Sequence, residues 1–239
     1  MKQVFKKVAL ISGLMLFLKP ASACITCNKQ TRDAIFDSMF YVNLLSIIGP
    51  FFVLAVVVAI LSAFATRHYN KEFSSNNGSK AGAYIPLTAA ATIIGIGMGG
   101  FVDGIVLHQI LQWHEMLSNK IPPTTLQAKT VNMFWDGIFH LFTFLVTLTG
   151  IIMLWQLLFK KSINPNGRLL WGGMLLGWAL FNILEGLANH HILKLHNVRE
   201  VSANVQGWNF GFLIFSILLA GVGLVLIRRG RQMVPIQKA

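Results

Sequence analysis

Five long apolar runs, at about 40–65, 84–112, 132–159, 169–193 and 207–227, decide most of what this chain can become. Each is long enough to cross a bilayer as a helix. With 54% hydrophobic and only 12% charged residues, the chain falls among polytopic membrane proteins rather than soluble domains, and the lipid bilayer is its first expected partner. The excess of 20 Lys and Arg over 8 Asp and Glu does not make it a nucleic-acid binder. Its basic residues sit in short clusters between apolar runs instead of forming one face.

Those clusters predict a topology. Arg67, Lys71, Lys80, Lys160, Lys161, Arg168, Arg228, Arg229, Arg231 and Lys238 fall on one side with a single acid, Glu72, and the positive-inside rule makes that side cytoplasmic. Lys2 to Lys7, the apolar stretch Val8 to Leu18 and then Ala21-Ser22-Ala23 have the three regions of a secretory signal peptide, with cleavage before Cys24. Cys24 is also where a lipoprotein would carry its acyl group, so lipidation and an uncleaved anchor stay open. The expected location is a bacterial inner membrane, with the mature N-terminus outside and the C-terminus in the cytoplasm. Of the seven histidines only His68 then lies on the cytoplasmic side.

The polar residues inside the apolar runs follow a repeat. Residues 103–114 read DGIVLHQILQWH and residues 185–196 read EGLANHHILKLH, so a carboxylate-Gly-x3-His-x5-His pattern occurs twice. Ionisable groups at bilayer depth cost about 2.5–3.5 kcal/mol each even on insertion scales, so their recurrence points to a shared polar site. At an offset of 82, Gly95, Gly104, His108 and His114 match Gly177, Gly186, His190 and His196. At an offset of 73, Trp135 and Phe139 match Trp208 and Phe212, while Asp136 becomes Asn209 and His140 becomes Leu213. The predicted fold is therefore an all-α membrane protein: a four-helix transmembrane bundle of two parallel helical-hairpin repeats, plus one extra N-terminal transmembrane helix and the signal peptide. Residues 1–23 are the expected signal peptide, 24–66 a CxxC segment with a transmembrane helix, 84–159 the first hairpin and 168–230 the second.

Facing helices could bring Asp103, His108, Asp136, His140, Glu185 and His190 to one buried cluster. Imidazole with carboxylate suits copper, zinc or iron. On an ideal helix His108 is rotated roughly 140° from Asp103, so the two converge only if the helix is locally distorted. Asp103 and His114 share a face but lie about 16 Å apart along an ideal axis, too far for one ion. His114, His196 and His191 are accordingly expected at the outer rim. A metal-free network of imidazoles bonded to carboxylates, or haem held by opposed histidines, uses the same residues. Cys24 and Cys27 form a C-x-x-C pair, read as a structural disulfide, a redox pair or a soft Cu(I) site with Met39 nearby. The run Gly95 to Gly100 has the letters of a dinucleotide fingerprint but no preceding strand. It reads better as a small-residue surface for close helix contact.

The stretches GFVDGIVLHQILQWHEMLS, NMFWDGIFHLFTF and LEGLANHHILKLHNVRE resemble a bacterial family of predicted multi-pass membrane proteins catalogued as a domain of unknown function. The resemblance covers about residues 84–227 and implies a four-helix membrane domain without implying an activity. The segment from Cys24 to about Phe64 is similar to the C-x-x-C plus single-helix pieces found with cytochrome oxidase assembly proteins, which implies copper or respiratory-oxidase biology and such partners. The leading expectation is an intramembrane, outward-facing metal site serving copper handling or oxidase assembly. A membrane metalloenzyme activating water or oxygen, and a proton-coupled transporter or proton path without stable metal, are its rivals.

Overall fold

The computed structural model of the chain describes residues 28–75, 84–160 and 165–232. The expected signal peptide and the Cys24/Cys27 pair lie outside them. The chain divides into two units, residues 1–40 and 41–239. In the first, a short helix α1 (Lys29–Ile35) is capped by Asn28, whose Oδ1 accepts from the backbone N–H of Gln30 at 2.9 Å.

The second unit is entirely helical in its regular structure among the described residues. Its helices are α2 (Phe40–Ser75), α3 (Tyr84–Phe101), α4 (Leu126–Trp155), α5 (Gly167–Glu185) and α6 (Val205–Gln232). Three of them run on without interruption as wider π-helix: α3 into π1 (Val102–Ile110), α4 into π2 (Gln156–Lys160) and α5 into π3 (Gly186–Ile192). Five segments of membrane-crossing length and hydropathy result, from 26 to 34 residues long. A helix satisfies every backbone polar group within its own segment, which is what a lipid environment demands.

The most enclosed span is Tyr84–Ile110, with 61% of its apolar window buried, against 11% for Val205–Gln232. Helices α3 and α5 thus form the central pair, with α4 against α3 and α6 against α5. Small residues permit the central approach. A Cβ on Gly95 would run into the carbonyl oxygen of Met174, and one on Gly177 into that of Thr92. Helix α2 lies at the periphery, where Phe51 stacks on Phe142 at 4.7 Å and on Phe139 at 5.4 Å. Ser62 Oγ also donates to Met153 Sδ there, at 3.3 Å.

Both π segments of the central pair stop short of the expected helix ends, and they stop alike. Leu111 donates to the Val106 carbonyl at 2.8 Å and Trp113 to Leu107 at 2.9 Å; Leu193 donates to Ala188 at 2.7 Å and Leu195 to Asn189 at 2.8 Å. Between each pair of bonds stands a residue in the left-handed region, Gln112 at φ 49° and Lys194 at φ 50°, the only non-glycine positive-φ residues described. These bonds reach back five and six residues, and with the left-handed residue between them they turn the chain back over the helix end. The loops that follow are joined: Asn119 N–H donates to the Leu195 carbonyl at 3.0 Å, and Glu200 N–H to that of Trp113 at 3.1 Å.

Candidate metal centre

A π-helix closes its turns over five residues rather than four, so side chains at i and i+5 come onto one face. That is the local distortion that Asp103 and His108 need, and Glu185 and His190 need it equally. His108 Nε2 lies 3.1 Å from Asp103 Oδ2, and His190 Nε2 lies 2.9 Å from Glu185 Oε1. The foldback beyond each π segment adds a third residue. His114 Nε2 stands 3.7 Å from Asp103 Oδ1, and His196 Nε2 stands 3.4 Å from Glu185 Oε1.

This corrects the placement of His114 and His196 at an outer rim about three turns away. The separation of about 16 Å assumed an α-helix continuing to residue 114, whereas the helix ends at Ile110 and the chain returns. All six side chains are buried. The imidazoles of His108 and His114 are 4.3 Å apart between ring centroids, those of His114 and His196 4.5 Å, and those of His190 and His196 5.0 Å.

Two sets of donor atoms lie within 4.8 Å of one another, His108 with His114 and His196, and Glu185 with His190 and His196. Most of these atoms lack hydrogen bonds. Asp103 Oδ1, the Nε2 atoms of His108, His114, His190 and His196, and both Glu185 oxygens are buried without such a partner. Buried polar atoms are nearly always satisfied, so this many orphans at one focus call for a further group there. Imidazole nitrogen and carboxylate oxygen together fit a transition-metal ion.

The remaining residues hold the ligands. Asp136 Oδ1 accepts from His108 Nδ1 and from the Met116 N–H, each at 3.0 Å, and its Oδ2 accepts from Gln109 at 3.2 Å. A carboxylate only accepts here, so Nδ1 carries a proton and Nε2 faces Asp103. His114 Nδ1 donates to the Val198 carbonyl at 2.8 Å and is fixed in the same sense. Asp136, expected among the ligands, thus touches the far ring nitrogen of His108. His140 donates from Nδ1 to the Asp136 carbonyl at 2.7 Å, its Nε2 lies against Gly104, and it is absent from both donor sets. His191 also stands apart, half-buried with its ring 5.3 Å from Phe210.

The second half lacks this support. Asn209 Oδ1 accepts from the Val198 N–H at 3.0 Å, as Asp136 does from Met116, yet the Nδ1 atoms of His190 and His196 have no hydrogen-bond partner. On the loops, burial, with the charge of His108 next, pushes the His114 imidazole down to about 3. Burial likewise holds His196 well below its ordinary value. Both rings are therefore neutral at physiological pH, the form that binds metal. Burial, aided by Asp136, raises Glu115 to about 7, and burial raises Glu200, whose Oε1 accepts from Ser118 Oγ. Beside them Arg199 lies 5.2 Å from the ring centroids of both Trp113 and Trp208.

Sequence reasoning named all six converging residues but divided them between a cluster and a rim. The signal that unites them is the repeat itself: both copies keep the same carboxylate, His and His spacing, through the second His. The family model described as "Predicted membrane protein (DUF2243)" matches residues 90–230, more than half of the chain and all six of these positions. No curated protein and no solved structure matches the chain.

Proposed function

The chain belongs to the DUF2243 family of predicted membrane proteins, a description that names no reaction or ligand, and we propose from the site itself that it is a membrane metal-binding protein. Its centre is an intramembrane His/carboxylate site for a transition-metal ion. One observation carries this reading: buried imidazole and carboxylate donors gather in two groups that share His196, His108 with His114 and His196 and Glu185 with His190 and His196, and the Nε2 atoms and Glu185 oxygens in them lack hydrogen-bond partners. Copper is favoured, since imidazole suits it and it binds most tightly among the divalent first-row ions. The Cys24/Cys27 pair adds a soft accessory or redox site at the sequence level. Handling of copper on the outer side of the membrane, in metal delivery or respiratory-oxidase assembly, is the role we assign. The distribution of basic residues supports the outward orientation.

Two rivals use the same residues. A metalloenzyme would leave one coordination position open for water or oxygen, with a carboxylate as base. A proton path without metal is favoured by the position of His108 between Asp103 and Asp136, where an imidazolium would satisfy both carboxylates. Elemental analysis of the detergent-purified protein separates them. We expect a tightly held ion that is lost in the His108→Ala/His190→Ala double variant and that passes to an apo acceptor. An ion that stays bound through turnover favours the enzyme. No ion, with proton-coupled uptake retained in vesicles, favours the proton path.

A further inference from the structure

The number of ions follows from the same geometry, and this step rests on the metal reading above. We propose that the centre is dinuclear: Asp103, His108 and His114 form one half, Glu185, His190 and His196 the other, and each half holds one divalent transition-metal ion.

Each repeat supplies one carboxylate and two imidazoles: Glu185 presents Oε1 to both of its histidines, whereas Asp103, outside the two closest donor groups, presents Oδ2 to His108 and Oδ1 to His114. The carboxylate lies 3.1 Å from its first imidazole and 3.7 Å from its second in one half, and 2.9 Å and 3.4 Å in the other. Bonds from a metal to imidazole nitrogen are about 2.0–2.1 Å, so two ligands of one ion stand at most about 4.2 Å apart. The two groups of donors within 4.8 Å of one another share His196, and neither contains both His108 and His190. No single ion therefore reaches both His108 and His190, although His196 stands within reach of either group. A lone ion in one group would leave the carboxylate–imidazole pair of the other, Asp103 with His108 at 3.1 Å or Glu185 with His190 at 2.9 Å, buried with no metal to hold it.

Charge points the same way. Asp103, Glu185 and Asp136 put three carboxylates into a buried region where unneutralised charge is costly. One divalent ion leaves that set net negative. Two, with a hydroxide between them, bring it to neutrality. Because His196 is within reach of both groups, the halves adjoin, and the ions would stand at the spacing of two-metal sites, about 3.5–4 Å. Duplicated carboxylate and histidine ligands on facing helices are how helix bundles build such pairs.

Cu(II) is a suitable probe. The full chain is purified in detergent, stripped with a chelator, reloaded with Cu(II), freed of excess and measured for copper per chain and for electron paramagnetic resonance intensity. We expect two coppers per chain, with a signal accounting for well under half of them because neighbouring Cu(II) ions couple. His108→Asn and His190→Asn should each retain one copper, with a mononuclear spectrum of full intensity. Asp103→Asn and Glu185→Gln replace them if either elutes as aggregate. One copper per chain at full intensity in the unaltered protein overturns the dinuclear centre and leaves the metal reading standing. No retained copper overturns both.

Discussion

The two halves of the centre differ by one atom that matters. Asp136 carries a negative oxygen where its counterpart Asn209 carries an amide, yet both side chains hold the loop that precedes their helix through the same backbone contact, at 3.0 Å in each case. Asp136→Asn should therefore leave the loop in place while removing the charge behind His108. Orienting partners of metal-bound imidazoles typically contribute 10–100-fold to affinity, so we expect a loss of about that size, measured by competition with a chelator, with unchanged helical circular dichroism. An equal loss of helicity would mean that Asp136 is structural instead. A second test at this scale concerns Lys194, held at φ 50°. A left-handed backbone costs a side-chain-bearing residue about 1–2 kcal/mol, part of which Gly recovers against its own entropy, so Lys194→Gly should be neutral or slightly stabilising. Lys194→Val, β-branched, should lower the thermal midpoint in detergent. Neither Gln112 nor Lys194 advertises its conformation in sequence, because the left-handed region has no marker when Gly and Asn are absent.

Helices are where reading and structure part company most usefully. The spans and the small-residue contact at Gly95 were legible, since length, hydropathy and glycine spacing act locally. The π segments were not. Their wider turn depends on bonds that no propensity encodes, and with an ideal period Asp103 and His108 point apart. The spacing of five, kept in both copies, was the available trace. Packing of the central pair can be tested by contrast. A Cβ on Gly177 meets the backbone of Thr92 and Ile96, which cannot yield as a side-chain tip would, whereas a Cβ on Gly137 meets nothing within 4 Å. Gly177→Ala should destabilise by about 1–3 kcal/mol, as overpacking does, and Gly137→Ala should be close to neutral or stabilising. Thermal melts of the two variants decide it, and equal melting would mean that α3 and α5 are not in backbone contact.

Function at the scale of the whole molecule depends on which face of the membrane opens toward the centre. The loops 111–125 and 193–204 lie at one end of the helices and carry His114 and His196 against Asp103 and Glu185, while Arg228, Arg229 and Arg231 mark the other end of α6. The positive-inside rule then puts the ligand end outside. In a chain with Cys24 and Cys27 replaced by Ser, Val201→Cys, a position 90% exposed, should react with a membrane-impermeant maleimide in intact cells. Gln232→Cys should react only after permeabilisation. The same orientation decides metal access. On the proposed orientation the apolar spans separate the proposed ligands from the cytoplasmic face and the two joined loops lie toward the other, so an impermeant chelator outside the cell should strip the proposed ion and one trapped inside inverted vesicles should do the same. Labelling of residue 232 but not 201 from outside would reverse the topology. The centre would then exchange metal with the cytoplasm, and a role in supplying copper to proteins of the outer face would have no route.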